Sequence, residues 1–125
     1  MIAFDSNVLI YVLEDNPDFS QKAVDLLIQA DSEGGVCSAL VITEVMYGTI
    51  DSLSKIKPLS SSNISVVGVD ANIAELAGKL KLEHGLKNID SIHLATAILS
   101  GAEVFVTNDL ELASKNITRI KINAL

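Results

Sequence analysis

Three acidic residues stand in apolar stretches of the sequence, where a carboxylate group is costly to place. Asp5 lies within IAFDSNVLI, Glu44 within ALVITEVMYG and Asp90 within NIDSIHLATAIL. An ionised carboxylate in such surroundings costs several kcal/mol unless another group compensates its charge. No lysine or arginine is adjacent in sequence to any of the three. The pattern predicts that partners from elsewhere in the fold compensate these charges.

A fourth acid, Asp109, joins this set because it directly follows the predicted strand EVFVT. Carboxylates that converge repel one another and raise each other's pKa. A divalent cation relieves both effects, since hard carboxylate oxygens are the ligands that Mg²⁺ and Mn²⁺ select. The sequence therefore predicts an Mg²⁺ (or Mn²⁺) site. Its strongest candidate ligands, direct or through water, are Asp5, Glu44 and Asp90, and Asp109 completes the set.

Four polar residues beside these acids are candidates for supporting the site. Thr107 and Ser6 could orient carboxylates by hydrogen bonds, as residues around metal ligands commonly do. Asn7 and Asn108 are ordinary turn and capping residues unless the site recruits them.

Each carboxylate also has a purely structural interpretation. Asp5 and Asp109 each precede a predicted helix and could serve only as N-caps. Asp90 could cap its helix or interact with the helix dipole, and Glu44 could reach solvent at a helix edge. His93 is more simply a hydrogen-bonded or exposed histidine than a ligand, because no further His or Cys is placed to complete a zinc site. It is much less probable that all four carboxylates have only a structural role than that any single one of them does.

Strands and helices alternate along the whole chain, and this alternation must position the acids. The predicted strands are IAF, VCSA, ISVVGV, EVFVT and TRIKI. Such a pattern is typical of an α/β fold with a mainly parallel sheet of about five strands. In these sheets a ligand binds beyond the carboxyl ends of the strands, near the point where the strand order reverses. Asp5 follows the first strand and Asp109 the fourth, so both are placed for that crevice.

Six segments between these strands carry helical patterns. They are SNVLIYVL, FSQKAVDLLIQADSE, ALVITEVMYGTI, DANIAELAGKLKLEHG, NIDSIHLATAILSGA and DLELASKN. Gly34 and Gly35 are expected to end the second helix, and Gly101 the fifth. Asp70 is a predicted N-cap and Gly85 a predicted stop for the fourth. The Ser-rich segment DSLSKIKPLSSSN is expected to be a connection, with a helical turn at its start.

Composition limits the domain count and the compartment. With 125 residues, the chain is expected to form a single domain over 1–125. Its mean hydropathy of +0.41 is high, yet no apolar run approaches the length of about 20 residues that spans a bilayer. The N-terminus lacks the basic start of a secretion signal. Because Cys37 is the single cysteine, the chain cannot form an internal disulfide, which fits the reducing cytoplasm. We therefore expect a cytoplasmic protein that is not embedded in a membrane.

The charge balance argues against a simple nucleic-acid-binding module. The net charge is −7, from 16 acidic and 9 basic residues, and no basic stripe is evident for phosphates. A chain like this one that handles nucleic acid must obtain its affinity from metal ions, local lysines or the geometry of an oligomer.

Two other α/β classes fit the motifs less well. A phosphatase of the haloacid-dehalogenase type needs a second Asp two residues after the first, where this chain has Asn7. A receiver domain of two-component signalling needs paired acids after the first strand and an acceptor Asp near mid-chain. Neither requirement is met.

In order along the chain, FDSNVLI, ITEVMYG, IDSIHLATAILSGA and FVTNDLEL resemble the motifs of PIN-domain nucleases. The resemblance is closest to the compact VapC-type toxins of toxin–antitoxin pairs, and it covers essentially the whole chain. It implies a three-layer α/β/α sandwich with strand order 3-2-1-4-5. It also implies an acidic pocket that holds one or two Mg²⁺ or Mn²⁺ ions, with Asp5, Glu44, Asp90 and Asp109 at the positions of the family's carboxylates.

The resemblance also implies what the protein does. Such toxins cut RNA internally, usually transfer or ribosomal RNA, commonly form homodimers and are silenced by an antitoxin protein at the acidic pocket. The sequence thus predicts a metal-dependent endoribonuclease that leaves 5′-phosphate and 3′-hydroxyl ends without a nucleophilic side chain. A PIN-like scaffold that binds RNA or a protein partner with little or no cleavage stays open as the alternative.

Overall fold

The computed structural model describes residues 1–46 and 61–125. Within them a five-stranded sheet has the order β3-β2-β1-β4-β5, and every strand pairing is parallel. The strands are β1 (Ile2–Phe4), β2 (Gly35–Ser38), β3 (Ile64–Val67), β4 (Val104–Thr107) and β5 (Lys121–Ala124). The predicted α/β class and strand order 3-2-1-4-5 are confirmed.

Helices connect these strands, as the sequence pattern predicts. They are α1 (Ser6–Leu13), α2 (Ser20–Glu33), α3 (Leu40–Val45), α4 (Ala71–His84), α5 (Asn88–Leu99) and α6 (Leu110–Ser114). Asp70 caps α4 by accepting a hydrogen bond from the Ile73 backbone N–H at 2.8 Å. Gly85 ends this helix in the left-handed conformation, with φ of 66°. The end of the predicted third helix and most of the predicted Ser-rich connection fall in 47–60, outside the described residues.

Two hydrophobic cores lie on opposite faces of the sheet, which gives the predicted three layers. One core packs α4, α5 and α6 against strand residues that include Ala3 and Phe105. The other packs α1, α2 and α3 against residues that include Phe4 and Cys37. Neighbouring residues of β1 thus point to opposite cores, as the two-residue repeat of a strand requires. This alternation explains why the central strand is apolar along its whole length.

The last strand begins later than its sequence pattern predicts. TRIKI covers residues 118–122, whereas β5 is Lys121–Ala124. The register pairs Val104 with Lys121 and Thr107 with Ala124, so pairing to β4 starts only at Lys121. Ile120 is apolar because it is buried in the core, although it lies just before the strand. Its apolar character led the sequence pattern to place the start of the strand too early.

The chain order places a crevice between β1 and β4. From β1 the chain moves outward to β2 and β3, then returns to β4 on the other side of β1. This reversal is where ligands bind in open parallel sheets. Within residues 1–46 and 61–125, no helix combines the length and apolar character needed to cross a membrane.

Candidate active site

Asp5 lies at the carboxyl end of the central strand and begins α1. Its side chain is only 6% exposed. One carboxylate oxygen, Oδ1, accepts the Asn7 backbone N–H at 3.1 Å, as an N-cap does. The other, Oδ2, accepts the Thr107 hydroxyl at 2.6 Å. Asp5 is therefore both a helix cap and a buried carboxylate fixed across the β1–β4 crevice.

Thr107 connects Asp5 to the second acid of this crevice, Asp109. Thr107 is the fully buried last residue of β4, and its Oγ1 accepts the Asp109 backbone N–H at 3.0 Å. The Asp109 carboxylate in turn accepts the Leu112 N–H at 3.2 Å, so it caps α6. A single hydroxyl group thus fixes the relative positions of the two chain segments that carry Asp5 and Asp109.

Glu44 and His93 meet across the two helical layers. The His93 Nε2 lies 2.6 Å from Glu44 Oε1, which joins α3 to α5. The His93 side chain is 2% exposed and that of Glu44 is 29% exposed. The His93 Nδ1 is buried, and no described residue forms a hydrogen bond with it. His93 is therefore the hydrogen-bonded histidine that the sequence favoured, and its partner is one of the candidate metal ligands.

Neighbouring carboxylates influence the ionisation of Asp5 and of Asp90. Burial raises the pKa of Asp5, and the negative charge of Asp90 adds a smaller increase. Burial also raises the pKa of Asp90, followed by repulsion from Asp109 and from Glu44. Asp90 and Asp109 line one small cavity together with Lys87. Asp5 after β1, Glu44 on α3, Asp90 on α5 and Asp109 before α6 thus lie near one another at the carboxyl end of the sheet.

Glu44 behaves differently from its neighbours. Burial alone would raise its pKa, but the hydrogen bond and charge of His93, with a contribution from the Ser6 hydroxyl, outweigh burial and lower the pKa. The protein itself therefore stabilises the ionised form of Glu44.

The remaining candidate residues make varied contacts. Asn7 contributes its backbone N–H to Asp5. The Asn108 side-chain amide donates to the Tyr11 hydroxyl at 2.9 Å rather than to a carboxylate. Sequence reasoning missed both this contact and the one between Glu44 and His93. The contact between Glu44 and His93 had one signal in the sequence: His93 lies three residues after Asp90, on the same face of a helix.

The donors fit a hard divalent cation in their chemistry, because all four are carboxylates. Within the described residues, however, no group of three or more His, Cys, Asp or Glu side chains is close enough to hold a metal ion. Hydrogen bonds occupy both oxygens of Asp5 and one oxygen of Glu44. The site therefore has the ligand chemistry and crowded negative charge of a metal site without a preformed cage.

A family model decides the classification. The PIN domain model matches residues 2–117. The chain belongs to the PIN domain family. A search of curated proteins finds no match.

Solved structures of toxin–antitoxin proteins share this PIN fold. A chain of a toxin–antitoxin complex from Klebsiella pneumoniae is 26% identical, with a TM-score of 0.72 over 98% of this chain and 100% of that one. A chain of DNA-bound VapBC from Salmonella typhimurium is 21% identical, with a TM-score of 0.71 over 98% and 96%. VapC20 of Mycobacterium tuberculosis, a toxin that cleaves the sarcin–ricin loop, is 15% identical, with a TM-score of 0.70 over 92% and 96%. This PIN domain thus shares its fold with these toxin–antitoxin proteins.

Proposed function

We propose that this PIN domain is a metal-dependent endoribonuclease and the toxin of a toxin–antitoxin pair. The observation that carries the proposal is the position of Asp90 at the carboxyl end of the sheet, near both Asp5 and Asp109: the charge of Asp90 raises the pKa of Asp5, and the charge of Asp109 raises the pKa of Asp90. Buried and half-buried acids placed together without compensation destabilise a fold. Their arrangement is therefore best accounted for by a positively charged ligand.

Asp5, Glu44, Asp90 and Asp109 are the residues that would hold Mg²⁺ or Mn²⁺. When bound, such ions activate water for attack on a phosphodiester and stabilise the charge on the leaving oxygen. Thr107 holds the Asp5 carboxylate in one orientation through its 2.6 Å hydrogen bond. Since water is the nucleophile, the side chains serve to bind and orient. Hydrolysis in this way leaves 5′-phosphate and 3′-hydroxyl ends.

The proposed partners follow from the proteins with the same fold. Chains with this fold occur in toxin–antitoxin complexes of Klebsiella pneumoniae and Salmonella typhimurium, which supports an antitoxin protein as the inhibitor. The sarcin–ricin loop cleavage by VapC20 supports RNA as the substrate. A homodimer and a cytoplasmic location complete the proposal.

Purified protein incubated with total RNA tests the activity. We expect internal cleavage in Mn²⁺ or Mg²⁺, no cleavage in EDTA, and no cleavage by Asp90→Asn in either condition. Asp25→Asn is the matched control, because Asp25 is an exposed acid on α2 that contacts Gln21. Cleavage by Asp90→Asn at the wild-type rate would contradict the proposed site.

One observation favours a scaffold that binds without cutting. Within residues 1–46 and 61–125, no three potential ligands stand close enough to hold an ion, so the acids alone do not guarantee catalysis. In that case wild type and Asp90→Asn would leave RNA equally intact in Mn²⁺, while the wild type would still bind its partner.

A further inference from the structure

We propose that His93 is a positioning residue, which holds the Glu44 carboxylate in the orientation that the metal site requires. The proposal rests on the proposed function and assigns a new role within the same site. It starts from the 2.6 Å contact between His93 Nε2 and Glu44 Oε1. His93 is 3% exposed, so water does not compete for this hydrogen bond as it would at the surface.

The surroundings of the ring identify which nitrogen carries the proton. Within the described part of the chain, Nδ1 is buried without a hydrogen-bond partner. A buried N–H without an acceptor leaves a donor unsatisfied and costs about 1–3 kcal/mol. The ionised Glu44 carboxylate can only accept a hydrogen bond, so Nε2 carries a proton and donates it to Glu44. The hydrogen-bond network therefore assigns His93 as a donor to Glu44.

This donation fixes one oxygen of the Glu44 carboxylate, to which the Ser6 hydroxyl also contributes. Oε1 is held by His93, whereas Oε2 is not part of that contact. His93 also lies one helical turn after Asp90 on α5, and residues three apart share a helix face. Through His93, the orientation of Glu44 on α3 is set relative to Asp90. The His93 side chain thereby aligns Glu44 and Asp90, which lie on separate helical layers.

A purely structural role, in which the contact only joins α3 to α5, predicts different results. We compare His93→Phe, which removes the donor, with His93→Gln, whose amide nitrogen replaces Nε2. Thr96→Val is the matched control, because Thr96 is a buried α5 residue whose hydroxyl donates to the Ile92 carbonyl. For each folded variant, the unfolding midpoint and the affinity for Mn²⁺, from the electron paramagnetic resonance of free Mn²⁺, are measured together with RNA cleavage.

We expect His93→Phe to weaken Mn²⁺ binding by about 10- to 100-fold, the range typical of residues that hold a metal ligand. His93→Gln should recover most of this loss, and Thr96→Val should leave the Mn²⁺ affinity unchanged. Equal Mn²⁺ affinity in wild type and His93→Phe would overturn the proposal. If wild type binds Mn²⁺ but does not cut RNA, while His93→Phe binds more weakly, the nuclease function fails and the positioning role stands.

A measurement on the unmodified protein covers the case in which His93→Phe does not fold. The ¹⁵N chemical shifts of the His93 ring report which nitrogen is protonated in the metal-free wild type. We expect an Nε2–H that is hydrogen-bonded to Glu44, with a changed shift in Glu44→Gln. A proton on Nδ1 alone would overturn the assignment whatever the activity of the protein.

Discussion

Two aspartates begin helices of this PIN domain with nearly the same backbone geometry. Asp5 has φ of −93° and ψ of −177°, and Asp70 has φ of −101° and ψ of −178°. Each accepts a backbone N–H from the first turn of its helix, at 3.1 Å for Asp5 and 2.8 Å for Asp70. Judged by local structure alone, both are ordinary N-caps.

Their surroundings give them different properties. Asp70 follows the edge strand β3 and is exposed. Asp5 follows the central strand, is buried, and accepts a second hydrogen bond from Thr107. Burial raises the pKa of Asp5. A capping carboxylate that follows the central strand thus lies buried near other, half-buried acids, whereas the same residue after the edge strand stabilises only its helix.

RNA cleavage should separate the two caps most strongly. We expect Asp5→Asn to lower the cleavage rate by more than about 100-fold, because losing a ligand should exceed the 10- to 100-fold loss typical of a residue that only supports one. Asp70→Asn should cut RNA at the wild-type rate, since Asn caps a helix about as well as Asp. Single-turnover cleavage in Mn²⁺ measures both. Equal losses in the two variants would mean that Asp5 acts only as a cap.

Stabilisation by Mn²⁺ should differ in the same direction. An ion that binds only the folded protein adds about 2.7 kcal/mol to the free energy of unfolding at 100 times its Kd. We expect this increase for wild type and for Asp70→Asn, and a much smaller one for Asp5→Asn. Thermal unfolding with and without Mn²⁺ measures it. An undiminished shift in Asp5→Asn would remove Asp5 from the ligand set.

In the absence of metal the two sites should respond in opposite directions. Asp70→Ala removes a cap and should lower the free energy of unfolding by about 1 kcal/mol. Asp5→Asn keeps an oxygen for the Asn7 N–H and removes a buried charge, so it should raise the free energy of unfolding at neutral pH. Urea unfolding in EDTA measures both. Destabilisation by both variants would show that the charge of Asp5 is fully compensated without metal.

The sequence predicts the fold well because the relevant information is local. Each strand is a short apolar run, each helix carries its own periodicity, and caps such as Asp70 and Gly85 mark their ends. The strand order follows from the family resemblance. The predicted start of β5 is wrong because an apolar residue indicates burial but not strand pairing. Ile120 is buried, yet it does not pair with β4.

The site is predicted less completely because its contacts join distant parts of the chain. The isolation of Asp5, Glu44 and Asp90 in apolar segments points to them as unusual acids. No local pattern reveals that Glu44 contacts His93, 49 residues away, or that Tyr11 contacts Asn108. Such pairs depend on how the helical layers pack on the sheet.

The smallest expected effect is a pH dependence that belongs to Asp5. Because its pKa is raised in the folded protein, the folded state binds more protons than the unfolded state between the unfolded value of about 3.9 and the raised value. The contribution of Asp5 to stability is therefore fully present below about pH 4 and is lost as the pH rises through the folded pKa. In EDTA, the free energy of unfolding of Asp5→Asn should equal that of wild type near pH 4 and exceed it increasingly toward neutral pH. A difference that stays constant from pH 4 to 7 would mean that burial does not shift the ionisation of Asp5, and the contrast with Asp70 would then reduce to position alone.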